Sequence, residues 1–259
     1  MTGSRRITAS RAPRRRRVTL LTAAALTWAA AASAQIGYTG SVYSVRFETA
    51  DGARTDAVYV FTSIDFEHGR LRGAATVPVV MQQAAWIDPV LGPVETGWLS
   101  GIADPVLRLD GAVWRTPAGG ASLRVSGSVK LPVASVEDGY SSGEVDVALG
   151  LSASIFRGRN SLLADFTYWW LGDPPEVEYR NVPAFYVGYA RVLDRAYRWS
   201  AIASVSGAPS PVPGFDPAAQ MSLAVLRVIG RGALGVSVDI GLTDSAANLA
   251  VGSTWRIVF

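Results

Sequence analysis

Apolar and polar positions alternate along most of this chain, with a period of two. In residues 144–156, Val145, Val147, Leu149, Leu151, Ala153 and Ile155 fall on one side. Glu144, Asp146, Ala148, Gly150, Ser152 and Ser154 fall on the other. A β-strand sends successive side chains to opposite faces, so this pattern predicts a strand with one apolar wall and one small, polar wall. Residues 232–242 repeat it, with Leu234, Val236, Val238, Ile240 and Leu242 against Ala233, Gly235, Ser237, Asp239 and Gly241. Residues 121–131 set Leu123, Val125, Val129 and Leu131 against Arg124, Ser126, Ser128 and Lys130. The first strand sets Tyr43, Val45 and Phe47 against Ser44, Arg46 and Glu48.

Twelve segments of this kind are predicted, at 41–49, 55–64, 70–81, 99–115, 120–133, 143–156, 161–171, 181–193, 197–206, 217–229, 232–243 and 247–259. Segments 55–64, 181–193 and 217–229 alternate poorly and their faces stay unassigned. Strands of about 9–11 residues, tilted, span a bilayer's hydrocarbon core. The connections alternate as well. Phe66–Gly69, Thr116–Gly119, Arg157–Asn160, Asp194–Ala196 and Gly230-Arg231 are tight. Residues 82–98, 134–142, 172–180 and 207–216 are long and rich in Pro, Gly and Asp. Short turns at one end and long loops at the other are the habit of an outer-membrane barrel. The expected fold is therefore all-β, a transmembrane antiparallel up-and-down barrel of about twelve strands with both ends periplasmic. In lipid an open sheet edge leaves backbone groups unsatisfied, so such strands must close. A soluble β-sandwich is the competing fold, but it would have to bury the charged faces.

Aromatic positions agree with a barrel. Trp114, Phe156, Tyr197, Trp199 and Phe259 are expected near the periplasmic rim, and Trp98, Trp169, Trp170 and Tyr179 near the outer rim, as two interfacial girdles. The terminal run Trp255-Arg256-Ile257-Val258-Phe259 puts Trp255, Ile257 and Phe259 on the outward face with Val251. It resembles the signal by which the barrel-assembly machinery recognises its substrates.

Residues 1–34 differ from everything after them. Arg14 to Arg17 form a charged stretch, Val18 to Ala31 an apolar one, and Ala32-Ser33-Ala34 a small-residue cleavage site. This predicts a cleaved signal peptide and an outer-membrane barrel over 35–259, in a Gram-negative envelope. The segment also rewrites the charge. The chain's formal +3 suggests a basic protein, but seven of its 24 Lys and Arg fall before residue 35, leaving 17 basic groups against 21 acidic ones, net −4. A nucleic-acid partner is thereby not expected. The chain has no Cys and one His, which excludes thiol chemistry, disulfides and any site needing two imidazoles. That His, His68, falls in a predicted turn with no Ser-His-acid order around it, so neither an enzyme nor a cofactor is expected.

Charged positions on the face opposite the apolar one are expected to line the lumen: Arg46, Glu48, Arg70, Arg72, Arg108, Asp110, Arg124, Lys130, Glu144, Asp146, Asp165, Asp239 and Arg256. A charge on the lipid face would cost a few kcal/mol near the midplane. Centring the hairpin near residue 138 puts Lys130 opposite Asp146 as a cross-strand ion pair.

Several short stretches carry a resemblance. Gly101-Ile102-Ala103-Asp104-Pro105-Val106-Leu107, Lys130-Leu131-Pro132, Asp138-Gly139-Tyr140-Ser141-Ser142-Gly143-Glu144-Val145-Asp146, Trp170-Leu171-Gly172-Asp173-Pro174 and Arg180-Asn181-Val182 occur in that order. Over residues 55–259 the chain resembles a family of proteobacterial outer-membrane transporter-like proteins related to the meta-pathway phenol-degradation group. In that family the third stretch is glycine-rich, GLGTGxxD, where this chain has Ser141 and Ser142. The resemblance implies a barrel and passage of small hydrophobic or aromatic molecules. The function expected is a passive channel in the lipid bilayer of the outer membrane. Its alternative is a non-conducting structural, receptor or adhesin barrel with a lumen packed by ion pairs. Residues 82–98, with Trp86, Ile87, Val90, Leu91, Val94 and Trp98, are expected to form a loop able to plug the lumen or meet a hydrophobic ligand.

Overall fold

The computed structural model describes residues 35–48, 54–88, 92–137, 139–174 and 178–259, without the side chains of 48, 54, 84–88 and 92–96. The predicted signal peptide, residues 1–34, lies outside the described residues. The strands are β1 (Gln35–Glu48), β2 (Arg54–His68), β3 (Leu71–Asp88), β4 (Gly92–Ile102), β5 (Val106–Arg115), β6 (Ala121–Lys130), β7 (Asp146–Arg157), β8 (Asn160–Trp170), β9 (Val182–Val192), β10 (Trp199–Ala208), β11 (Ala218–Ile229), β12 (Gly232–Gly241) and β13 (Leu249–Val258). No helix occurs among the described residues.

Every pairing is antiparallel, and the ladder closes on itself. It runs from β2 through β1, β13 and back down to β5 and β3, with β3 returning to β2. The ring is a closed twelve-strand barrel in which β4 and β5 act as one interrupted strand. The lower part of β3, Leu71–Thr76, pairs with β5, and its upper part, from Val79 on, pairs with β4. The interruption is Ala103-Asp104-Pro105. Pro105 has no N–H to give a ladder, and Ala103 N instead donates to the Pro78 carbonyl at 2.9 Å.

This corrects the expected organisation. Segment 99–115 is not one strand, and 82–98 is not a loop. Its described residues continue β3 and β4 as a paired hairpin with a register shift between Gln83 and Ala85. Of the apolar residues expected to plug the lumen, Trp86, Ile87, Val94 and Trp98 are strand residues of this extension, and Val90 and Leu91 lie outside the described residues. Elsewhere the expected tight turns lie at one end of the barrel and the long connections at the other, termed here the turn end and the loop end.

The wall sorts by polarity. Leu107, Leu109, Leu149, Leu151, Leu223, Val236, Val238 and Val251 are all exposed on the outer face. Their neighbours Ser126, Ala148, Ser204, Asp239 and Ala250 are buried inside. This is the inverse of a water-soluble protein. An apolar outer wall with no open edge is what a lipid environment requires. The chain is a membrane-spanning barrel of the outer-membrane type.

Candidate functional site

The barrel interior is divided. One arc, from β13 through β1–β3 to β8, carries nearly all the inner charge, and the other, β9 to β12, is faced by small and hydroxyl side chains.

On the charged arc, cations and carboxylates are matched, apart from Arg115, which lines the turn-end cavity with no ion pair among the described residues. Arg72 lies 3.1 Å from Glu67 on the neighbouring strand, its direct register partner. Arg256 Nη2 donates to Asp65 at 2.7 Å, reaching over β1, where Thr39 Oγ1 donates to the same carboxylate. Arg124 is held hardest. Its Nε donates to Asp110, and its Nη2 donates to the carbonyl of Arg70 at 3.2 Å. Arg108 approaches Asp165 at 3.5 Å, although two strands, β6 and β7, lie between theirs. That pair therefore reaches across the concave interior rather than along the wall. Cavities of about 460 Å³, lined by Arg72, Arg108, Asp110, Arg124 and Phe156, and of about 320 Å³, lined by Asp65, Glu67 and Arg256, open between these groups.

Toward the loop end the strand break creates a second constellation. Asp104 is 5% exposed. Its Oδ1 accepts the backbone N–H of Val133 at 3.0 Å and Ala134 at 3.1 Å, and its Oδ2 accepts from Ser141 Oγ at 2.7 Å. Lys130 Nζ stands 2.6 Å from Asp146 and 3.6 Å from Asp104, and donates to Ser142 Oγ at 2.7 Å. Asp146 also accepts the backbone N–H of Gly172 at 3.0 Å. Tyr140 covers Gly101, where a Cβ would collide with its ring. Residues of four of the stretches that carry the resemblance, Asp104, Lys130, Ser141, Ser142, Asp146 and Gly172, thus meet in one place, clasping the connection after β6 to the wall where β4 leaves it.

The neutral arc presents Ser204, Ser222 and Ser237, with Asp239 directly opposite Ser222 and Ala250. Inward aromatic rings from the adjoining strands border it. Tyr43 meets Phe61 edge-on at 6.1 Å between centroids, and Tyr59 stacks on Phe61 at 6.3 Å. At the loop end a cavity of about 690 Å³ is lined by Trp169, Val182, Pro211, Phe215, Asp216 and Asp244.

Most sequence-predicted residues occupy the inner face: Arg72, Arg108, Asp110, Arg124, Lys130, Asp146, Asp165, Asp239 and Arg256. Glu144 lies just before β7, where a Cβ on Gly172 would strike it. Arg46 does not belong with them. Register puts Tyr43 opposite Gly252 and Val45 opposite buried Ala250, both inner positions, so Arg46 and its 2.9 Å partner Asp56 lie on the outer face. The apolar side of β1 faces inward because its aromatics pack on the neutral arc. Glu48 ends β1 opposite Arg54, and its side chain lies outside the described residues. Arg70 belongs to the β2–β3 turn, exposed, and contributes its carbonyl rather than its charge. Phe156 and Trp169, expected in the girdles, instead face inward and line cavities. Trp114 and Trp199 face outward, Trp199 with Arg227 5.1 Å over its ring. Trp255 and Ile257 are also outward, Trp255 packed over Gly40, while Phe259 N donates to the Ile36 carbonyl at 2.9 Å. His68 ends β2 opposite Leu71.

Sequence reasoning missed Asp65, Glu67 and Asp104. The first two sit on β2, whose alternation is masked because Tyr59 and Phe61 put apolar residues on the polar face. Asp104 had a signal in Pro105, which breaks a strand and leaves the preceding carboxylate free to cap the connection.

No family model and no curated protein matches the chain. Among solved structures, an outer membrane channel from Pseudomonas putida F1 matches 87% of this chain and 95% of its own length, with a TM-score of 0.64 at 12% identity. The β domain of the Bordetella autotransporter BrkA matches 86% and 98%, with a TM-score of 0.50 at 12% identity. What this chain shares with them is the fold, a closed antiparallel barrel of the outer-membrane kind.

Proposed function

We propose that the chain is a passive outer-membrane channel for small molecules, with its turn end and both termini on the periplasmic side. In this reading residues 1–34 are removed on export, and the barrel-assembly machinery reads Trp255, Ile257 and Phe259 on the last strand. The observation that carries the proposal is the interior. Twelve strands enclose more room than eight, which side chains just fill. The cavities between the inner ion pairs, with the wider one at the loop-end mouth, leave space along that interior. The resemblance to transporter-like proteins supports small hydrophobic or aromatic solutes, and the inward rings of Tyr43, Tyr59 and Phe61 offer them faces to slide on. The inner charges Arg72, Arg108, Asp110, Arg124, Lys130, Asp146, Asp165, Asp239 and Arg256 form the lumen lining in this proposal.

Planar-bilayer recording of refolded protein tests it. Discrete conductance steps are expected. Absence of both conductance and liposome solute flux overturns the channel and favours the second reading, a structural barrel whose interior is locked by ion pairs. The Arg108–Asp165 pair reaching across the concavity is what favours that alternative. Arg108→Ala separates the two, since it should raise conductance in a channel and lower only stability in a locked barrel.

A further inference from the structure

The inner charges are not balanced everywhere. Arg72, Arg108, Arg124, Lys130 and Arg256 each hold a carboxylate. Asp239 has no ion pair and no hydrogen bond among the described residues, yet it is 9% exposed on the inner face. Its surroundings are built rather than incidental. Ser222 and Ala250 flank it in register. The Tyr43 ring leans across Gly252 toward Ser237, where a Cβ on Gly252 would come within 3.0 Å of the Ser237 Oγ. Tyr43 lies within electrostatic reach of Asp239. The residue is set into the wall while its carboxylate oxygens stay open to the lumen, so its negative charge is uncompensated there and attracts a cation.

We infer that Asp239, with the hydroxyls of Tyr43, Ser222 and Ser237, forms a cation subsite in the lumen and makes the channel cation-selective. This rests on the channel reading. The approach from the loop end has the matching sign. Asp216 and Asp244 line the mouth cavity, and Glu144 lies at the same end. Arg180, at that rim, is turned onto the Ser210 carbonyl at 2.7 Å. Arg115, the exposed cation that ends β5, lies at the turn end, the far end of the barrel from Asp239. A carboxylate with hydroxyl oxygens beside it suits a monovalent metal ion or an ammonium group.

The test is the reversal potential of single channels in a KCl gradient centred near 0.1 M. Screened at 0.1 M, a unit charge about 5 Å from an ion's path changes K⁺ occupancy about twofold and Cl⁻ occupancy inversely, so the K⁺/Cl⁻ preference shifts about fivefold. Wild type should prefer K⁺ over Cl⁻, and Asp239→Asn should lower that preference by about that factor while leaving a remainder from Asp216, Asp244 and Glu144. Asp239→Glu should retain it. Ser222→Lys, which sets a cation opposite an intact Asp239, should lower it like Asp239→Asn, so the argument does not hang on one variant's folding. At 1 M KCl, where screening acts within about 3 Å, the variants should converge. Conductance with the same selectivity in wild type, Asp239→Asn and Ser222→Lys overturns the subsite and leaves the channel standing. Absence of conductance in wild type overturns both.

Discussion

Lys130 is the single cation between two nearly buried carboxylates, and removing it should be worse than removing either acid. In Lys130→Met the side-chain stem survives but Asp104 and Asp146 face each other uncompensated. Breaking a buried pair by deleting one partner costs about 3–5 kcal/mol. Asp104 keeps its bonds from Val133, Ala134 and Ser141, and Asp146 its bond from Gly172, so the low end, about 3 kcal/mol, is expected. Asp104→Asn is milder. Lys130 still has Asp146 at 2.6 Å, and an amide oxygen can still accept the two backbone N–H groups, so about 1 kcal/mol is expected. The double variant removes one of the stranded charges and should cost at least about 1 kcal/mol less than the sum. Urea unfolding in detergent micelles, read by tryptophan fluorescence, gives all three values. A local readout accompanies it, because Tyr140 sits on the clasped connection. Chymotrypsin should cut after Tyr140 faster in Lys130→Met than in wild type. A cost for Lys130→Met below about 0.5 kcal/mol, or strict additivity in the double variant, would refute the reasoning.

The outer wall predicts a parity effect at adjacent residues. Leu223→Arg, outward on β11, should cost about 2–4 kcal/mol in liposomes, whereas Ala224→Arg, inward, should cost less than half as much, compared by folding yield and urea midpoint. Gly40 lies under the Trp255 indole, so Gly40→Val should overpack the outer wall by about 1–3 kcal/mol and shift the tryptophan emission. Asp194 caps a turn by accepting the backbone N–H of Trp199 at 2.9 Å and Arg198 at 2.8 Å, and those donors, with the Arg198 charge, hold its carboxyl below the ordinary 3.8. A carboxyl depressed by folding stabilises the fold above its unfolded value and loses that contribution as pH falls through the folded one. The wild-type unfolding midpoint should therefore drop below pH 4 with a component missing from Asp194→Asn, and identical pH profiles would contradict the cap.

The parts of this architecture that a period of two can encode were legible, and the others were not. Strands β5 to β8 and β12 keep apolar and polar residues mostly apart, with Phe156, Leu163 and Trp169 the inward exceptions, so most of their faces and the Lys130–Asp146 register followed from spacing alone. β1 shows where the rule inverts. Tyr43, Val45 and Phe47 look like a lipid face, but the neighbouring inner positions Gly252 and Ala250 carry no bulk, and the β1 side chains fill the interior there. Parity also fails to separate the interior from the rims, because a turn residue such as Arg70 keeps the parity of its strand while its side chain leaves the barrel. The cross-interior pair Arg108–Asp165 was beyond sequence reading for another reason. It joins strands that share no ladder, and its geometry exists only once the ring has closed. The extended β3–β4 hairpin was hidden because Pro, Gly and apolar residues in 82–98 resemble a loop until pairing is counted.

The division of the interior explains why stability and selectivity can be assigned to different residues. A matched ion pair has almost no field beyond its own length, since the two charges cancel at a distance where water also screens them. The charged arc therefore binds β13 and β1–β3 to β5–β8 while contributing little to the potential a passing ion meets. An unmatched carboxylate on a neutral arc behaves in the opposite way, adding little cohesion and most of the local field. Exchanging a matched group for a neutral one should thus show up in the unfolding midpoint, and exchanging Asp239 should show up in the reversal potential. Arg124→Leu tests the first half in the same recording. Its loss strands Asp110, so it should lower stability by about 3 kcal/mol. It should also release a fixed negative charge that raises K⁺ preference rather than lowering it, and a fall in K⁺ preference would show that the pairs, not the unpaired acid, set the field.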